Sequence, residues 1–387
     1  MTEKASRETW DVAVIGAGIV GSISAYNLLL RGQKTLLLEQ YSLLHPEGSS
    51  CSHTRVLNHS FDLRSFYIHM VRDSIPVWQH LGCQTDSQVY RETGILSIGS
   101  EEVVEEIDVS LSRENIPCHR ISREELLSLY PMIRVKNNQV GIKEKGGIVY
   151  AARALMACHV MIKKLEGTVV EKSTVSSITP GNITVLTTST GEYRAKKVVV
   201  AVGPWAPTFL KRLGVNWPIE CKLAGHLYWR EKIPGTYGID KVPIVIITGV
   251  GSSIPSAEYP GLFKCGHFNQ SSGIPASVEN YASAVTKYKE TEMRKARQNV
   301  VDSFPYLDSS GPEHFIKCFY TTSEDNTYII DTHPQWPQII ISTGFSGHGF
   351  ATAPATGKII TALVLEESPP YDIQHFRADR FDRKSKM

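Results

Sequence analysis

The 387-residue sequence has no apolar run of 18 residues, so it offers no candidate membrane-spanning helix. Its first residues, MTEKASRETWD, are polar and unlike a secretory signal. Charge of one sign is also missing. Forty-one Lys and Arg face 39 Asp and Glu, a formal net charge of +2, so charge suggests neither nucleic acid nor an acidic membrane as partner. The seven cysteines are odd in number and contain no C-x-x-C, as expected for reduced thiols inside a cell. No cluster with metal-ligand spacing stands out, and no metal is expected. Internal repeats and low-complexity segments are absent. What remains is a chain with 42% hydrophobic residues, long enough for two domains or one domain with a large insertion.

One stretch organises the chain. Asp11 to Glu39 opens with the apolar run Val12-Ala13-Val14-Ile15, suited to a strand buried on both faces. Gly16, Gly18 and Gly21 follow at G-x-G-x-x-G spacing, then a helical run from Ile19 to Leu30, then Leu36-Leu37-Leu38 ending in Glu39. Gly16 permits the tight turn, Gly18 lets backbone approach a pyrophosphate, and Gly21 lets the helix pack closely on the sheet. The helix N-terminus offers N–H groups and a positive dipole end to phosphate, and Glu39 is placed to accept from ribose hydroxyls. The spacing alone is weak evidence. The strand, helix and terminal acid around it make this a dinucleotide site.

Further along, Gln40 to Arg55 reads as a loop and Phe66 to Leu81 as a helix that Pro76 kinks or breaks. Val89 to Ile98 reads as β structure with a bulge or turn at Gly94. Ser122 and Glu125 have capping-box spacing for a short helix to Tyr130. Gly146 to Tyr150 leads into a helix through Leu165, followed by strands at 168–178 and 183–188. Lys197 to Trp205 holds another apolar strand ending in glycine. Residues 218–320, richer in Pro, Gly and aromatics, predict an antiparallel domain with a helix from Ala282 to Phe304. Ile339 to Thr343 is a last strand, followed by the turn GFSGHGF and a helix from Ala353 to Glu366. The nucleotide fold is therefore split along the chain, as in many FAD enzymes, whereas NAD-dependent dehydrogenases usually keep theirs in one block.

Beyond these readings, several segments carry a resemblance. WDVAVIGAGIVGS at the start, GSS and TR within 48–55, YPGLFK at 259–264, CFYT at 318–321, IIDTHP at 329–334 and GFSGHGF at 344–350 resemble the FAD-dependent sarcosine and pipecolate oxidases, particularly their peroxisomal branch. The resemblance spans essentially the whole chain. It implies an α/β fold: a Rossmann-like FAD domain of the glutathione-reductase type, built from residues 1–88, 143–215 and 318–387, with an antiparallel-sheet substrate domain of residues 89–142 and 216–317. It also implies oxidation of a secondary or tertiary amine to an imine or iminium, with O2 reduced to hydrogen peroxide, in a monomer.

Several residue roles follow from the resemblance. Cys318 is the candidate thioether anchor for the flavin, although by itself it reads equally as a core thiol. Lys264 matches the lysine that promotes reaction of reduced flavin with O2, where a cation stabilises forming superoxide; a surface lysine is its ordinary alternative. Arg55 matches a cation beside the flavin. Ser49 and Ser50 belong to the GSS segment, Gly203 and Trp205 match a second FAD-contacting strand end, and Val175 matches an adenine contact. Gly344, Phe345, Gly347, His348, Gly349 and Phe350 form the final turn, whose N–H groups can face the flavin. Tyr320 and His348 are candidate catalytic residues. Tyr259, Tyr320, Asn58 and Ala351 are expected in the substrate pocket.

Two positions depart from the family pattern in a way that bears on substrate. Arginine and lysine are expected where this chain has Asn58 and Ala351, and in the family those cations hold the substrate carboxylate. Their joint absence points to an amine without the usual α-carboxylate, because an unpaired desolvated carboxylate costs several kcal/mol. The alternative is a sarcosine- or pipecolate-type oxidase with a rewired clamp, for which Arg64, His59 and His53 are candidates. Two histidine positions differ as well: Cys51 stands where a histidine is common, and His267 falls one residue early, with Phe268 in the matching place. A flavin dehydrogenase and an inactive FAD-bound relative are rival readings, opposed by Lys264, Cys318 and Tyr320. Finally, Ser385-Lys386-Met387 resembles the peroxisomal S-K-L address and makes the peroxisome the expected location, with the cytoplasm otherwise.

Overall fold

A computed structural model describes residues 8–50, 53–266 and 273–382. Cys51, His267, Phe268 and Ser385-Lys386-Met387, all singled out above, lie outside the described residues.

The first sheet is built around strand Thr9–Ile15, which pairs in parallel with Thr35–Leu38 on one side and Gly191–Val200 on the other. Its side chains alternate between two cores. Val12 and Val14 face one cluster with the helices, and Ala13 and Ile15 face the other, so the apolar run is buried on both sides. Thr168–Val170 extends the sheet beyond Thr35–Leu38, and Ile339–Thr343 adds in parallel to Gly191–Val200. Helix Ile19–Leu30 packs against the C-terminal helix Ala353–Val364. The contact is close: a Cβ at Gly357 would lie 2.9 Å from the Asn27 side chain. Distant ends of the chain thus complete one nucleotide fold.

The second sheet has nine strands among the described residues, and its longest, Ile219–Arg230, lies next to one edge. This long strand pairs antiparallel with His314–Ser323 along one edge, and with Leu262–Cys265 and Ile274–Pro275 along the other. One pair breaks the antiparallel expectation: Ile95–Gly99 runs parallel to Ile244–Ile247. A third, three-stranded sheet joins Thr54–Asn58, Gly146–Tyr150 and Tyr90–Glu92.

The structure refines three local expectations. Residues 89–98 form two strands, Tyr90–Glu92 and Ile95–Gly99, in different sheets, and Gly94 at φ +73° makes the turn between them. Pro76 does not break its helix, which runs Ser65–Gln84 with its apolar face buried by Tyr67, Met70, Val71 and Trp78. Tertiary burial outweighs the one lost hydrogen bond. The single helix expected over 282–304 is two, Ala282–Glu290 and Glu292–Ser303, broken at Thr291. The capping box is present: Ser122 Oγ accepts from the Glu125 N–H at 3.2 Å, and Glu125 returns the bond to the Ser122 N–H at 2.8 Å.

Candidate active site

The nucleotide end of the site follows from backbone sterics. Gly16 has φ +100°, and a Cβ there would lie 2.5 Å from the Ala201 carbonyl. A Cβ at Gly21 would lie 1.9 Å from the Gly16 carbonyl, so only glycine allows helix Ile19–Leu30 to close on the turn. Gly18 faces the side chain of Ser50, whose Oγ accepts from the Ile19 N–H at 3.0 Å. One of the N–H groups of this helix end is therefore already taken. At the end of strand Thr35–Leu38, Glu39 accepts from the Ala17 N–H at 2.8 Å and the Tyr41 N–H at 3.0 Å, with His45 Nε2 at 3.3 Å. Burial pushes the Glu39 carboxyl up, but these bonds outweigh it and hold it below the usual range.

A cavity of about 1340 Å³ runs from this cradle to the second sheet. That exceeds the roughly 300–1000 Å³ of a small-ligand pocket and leaves room for a dinucleotide together with a substrate. Its wall includes Gly16, Gly18, Glu39, Ser49, Ser50, Val175, Gly203 and Trp205 at one end. At the other it includes Arg55, Asn58, Lys264, Cys318, Tyr320, Phe345, Gly347, His348, Gly349, Phe350 and Ala351. Residues from eight separate stretches converge here. Three expected site residues stand off the wall. Gly21 packs beneath the cradle. Gly344 directs its N–H to Thr321 Oγ1 at 3.1 Å, which leaves the later part of its turn to line the cavity. Tyr259 lies behind the wall, its hydroxyl 3.2 Å from His53 Nε2.

The cations are held by carbonyls. Arg55 donates to the carbonyls of Ser49, His53 and Thr54 at 3.0, 3.1 and 3.3 Å, and its guanidinium lies 5.6 Å from the centre of the Phe350 ring. Lys264 Nζ donates to the Thr54 carbonyl at 2.9 Å. Burial, reinforced by Arg55, pushes the Lys264 ammonium down to about 7. Burial likewise pushes His348 down to about 4, so that ring is neutral at physiological pH.

None of the proposed replacement clamps is on the cavity wall. Arg64 pairs with Asp62 at 2.6 Å, His59 with the buried Glu144 at 3.0 Å, and His53 with Tyr259. Asn58 Nδ2 turns to Ser60 Oγ at 3.3 Å, and Ala351 leaves a small apolar surface.

The structure adds residues that the sequence did not single out. Thr54 supplies the carbonyl shared by Lys264 and Arg55. His226 lines the cavity from strand Ile219–Arg230. Its only sequence signal was an imidazole at the same strand parity as Ala224 and Tyr228. Among the described wall residues, His226 Nε2, Thr54 Oγ1 and Ser342 Oγ are buried without a hydrogen-bond partner. Orphaned polar atoms around a large cavity, with a glycine cradle at one end, fit a bound dinucleotide.

Comparison with known proteins agrees with this geometry. The family model described as "FAD dependent oxidoreductase" matches residues 11–363. The chain is 34% identical over 385 residues to human peroxisomal sarcosine oxidase, covering 97% of each. It is 25% identical over 392 residues to monomeric sarcosine oxidase from an Arthrobacter strain, covering 98% of each. Among solved structures, the open form of NikD, an unusual amino acid oxidase essential for nikkomycin biosynthesis, superposes with a TM-score of 0.80. That likeness has 19% identity and covers 96% of this chain and 98% of NikD, so it concerns the fold.

Proposed function

The chain belongs to the FAD-dependent oxidoreductase family, and on that premise we propose that it oxidises a secondary or tertiary, N-methyl or cyclic amine to an imine or iminium, with O2 as electron acceptor. FAD held in the cavity would supply the two-electron oxidant for the carbon beside the amine nitrogen, with O2 as the final acceptor. The observation that carries the proposal is the convergence of Lys264, Arg55 and Cys318 on the wall of a cavity that begins at the glycine cradle.

The chain's own residues have separable tasks in this reading. Gly16, Gly18 and Ser50 shape the surface for the pyrophosphate, and Glu39, Val175, Gly203 and Trp205 hold the adenosine end. Cys318 attaches the ring covalently. Arg55, fixed by three carbonyls, presents a guanidinium where negative charge grows on reduction, and the N–H groups of 345–350 add to it. Lys264 supplies the positive charge that speeds electron transfer to O2. Tyr320 and His348 shape the substrate face; the neutral His348 ring adds no positive charge there. The division into a FAD unit of residues 1–88, 143–215 and 318–387 and a substrate unit of residues 89–142 and 216–317 belongs to the same proposal. So do a monomeric state and a peroxisomal location, the latter supported by the name of the human relative and by Ser385-Lys386-Met387.

An amine without an α-carboxylate is supported by Asn58 and Ala351, which bring no charge to the cavity wall, and by Arg64, His59 and His53, which do not line it and are paired with Asp62, Glu144 and Tyr259. A second reading, an N-methyl or cyclic amino acid as substrate, is favoured by the names of the relatives. Anaerobic bleaching of the flavin by matched amines, piperidine against L-pipecolate, separates the two. Bleaching by the carboxylate-free member alone supports the first reading, and efficient bleaching by L-pipecolate overturns it.

A further inference from the structure

Past Lys264 the cavity continues across the second sheet. Lys264 lies opposite Ile254 on the next strand, Gly251–Pro255; Ser252 of that strand lies opposite Ile246, and Ile246 opposite Ser97. All five line the cavity. Strand Ile95–Gly99 is three strand spacings from Leu262–Cys265, so Ser97 stands about 14 Å across the floor from the strand of Lys264. Helix Glu101–Arg113 borders this far end, and its Val103, Glu106 and Ile107, at i, i+3 and i+4 spacing, line the cavity. A Cβ at Gly99 would meet Thr248 Oγ1 at 2.8 Å and Val103 at 3.3 Å, so helix and floor meet there.

This end offers acceptors and no cation. Among its described wall residues, Glu106 is the one charged side chain. Glu101 and Glu105 of the same helix pair with Arg120, whereas Glu106 has no ion-pair partner among the described residues. Asn58 is oriented in the same sense. The buried Glu144 carboxylate accepts from the His59 and Ser60 N–H groups at 3.0 and 3.2 Å, and from the Ser60 hydroxyl. Ser60 Oγ has given its one proton, so it can only accept from Asn58, whose Nδ2 turns to it at 3.3 Å. That leaves the amide oxygen of Asn58, 4% exposed and on the wall, to face the cavity.

We propose that the substrate is an extended diamine, with one nitrogen beside the carbon that is oxidised and a second, cationic nitrogen received at Glu106. This rests on the reading of the chain as an amine oxidase and names the substrate class of that same cavity. The charges sort the two ends. Arg55 and the ammonium form of Lys264 repel a second cation placed beside them. Glu106 is exposed, and across three strand spacings, beyond the roughly 8 Å screening length at physiological ionic strength, their repulsion is largely screened. Between the ends, Ile254, Ile246, Val103 and Ile107 give apolar surface that suits a methylene chain. The Asn58 oxygen accepts from an N–H along the way and repels a carboxylate. A diamine therefore meets a complementary group at each point, and an amino acid of the same length does not.

The test uses the FAD-loaded full chain and three amines of equal length: N-methyloctylamine, and its two analogues whose far end carries an ammonium or a carboxylate in place of the terminal methyl group. The concentration dependence of anaerobic flavin bleaching gives an apparent Kd for each. In the wild type the ammonium-ended amine binds at least roughly fivefold more tightly than the carboxylate-ended one, the size expected when a solvent-open charge attracts one end and repels the other. Glu106→Gln abolishes this preference and Glu106→Lys inverts it; retained FAD reports an intact fold in both variants. Equal or tighter binding of the carboxylate-ended amine by the wild type, or an ammonium preference that survives Glu106→Gln, overturns the proposal and leaves the amine-oxidase reading standing. Failure of all three amines to bleach the flavin overturns that reading, and the proposal with it.

Discussion

Lys264 Nζ and the Thr54 carbonyl, 210 residues apart in the chain, are joined by a 2.9 Å hydrogen bond. Arg55 reaches the same oxygen at 3.3 Å. One peptide group thereby fixes both cations of the site relative to each other, and its position in strand Thr54–Asn58 keeps it rigid. The arrangement costs the lysine proton affinity, because burial removes its ammonium from water and Arg55 adds a second positive charge beside it.

Replacing Lys264 by Met is expected to leave FAD binding intact and to slow reoxidation of the reduced flavin by O2 by about 10²–10³-fold. Stopped-flow mixing of the reduced protein with O2 measures this directly, and reduction by amine in the same variant serves as the control. An unchanged reoxidation rate would remove Lys264 from the oxygen step.

The pH dependence has a defined sign. Lys264 titrates down at about 7, so its charged form is lost as pH rises through that value. An anionic reduced ring beside it raises the midpoint. Reoxidation should therefore fall with increasing pH, with a midpoint at or above about 7, and the pH step should vanish in Lys264→Met. A reoxidation rate that rises with pH contradicts this assignment.

Restoring charge to the substrate wall should restore carboxylate recognition. The double variant N58R/A351K is expected to raise kcat/KM for L-pipecolate or sarcosine at least tenfold relative to the matching carboxylate-free amine. A buried pair of charged hydrogen bonds, each worth about 1.5–3 kcal/mol, is sufficient for such a change. Steady-state peroxide production with both amines checks it, and an unchanged ratio argues that the carboxylate is met elsewhere.

Gly21→Ala tests the cradle. The added Cβ would meet the Gly16 carbonyl at 1.9 Å, so helix and turn must separate. Overpacking of this kind costs about 1–3 kcal/mol and should lower Tm by several degrees. FAD affinity should fall with it, because the pyrophosphate surface is the part displaced. Thermal melts with and without FAD separate the two effects: loss of the FAD-dependent increase in Tm is the expected signature.

Much of this was legible in the linear sequence where the physics is local. The run from Val12 to Glu39 predicts strand, turn, helix and second strand because hydrophobic period and glycine spacing act over a few residues. The capping box at Ser122 was readable for the same reason. Elements whose limits depend on distant neighbours were less so. Pro76 stays helical because buried partners outweigh its lost bond, and the 282–304 helix breaks at Thr291 with no glycine or proline to mark it. Residues 89–98 divide between two sheets, a choice made by strands Gly146–Tyr150 and Ile244–Ile247 far along the chain.

The sequence by itself determined the dinucleotide cradle, the split α/β organisation and the missing charges at positions 58 and 351, since each is a matter of which residue stands where. Tertiary structure alone decided which side chains face the cavity. Arg64, His59 and His53 had the chemistry for a carboxylate clamp, but they pair with Asp62, Glu144 and Tyr259 and do not line the cavity. His226 had no motif to recommend it, yet the cross-strand register sets it between Cys318 and Lys264. Sheet register is a non-local property: a shift of one residue would turn every side chain to the other face, and nothing within a single strand specifies which partner it meets.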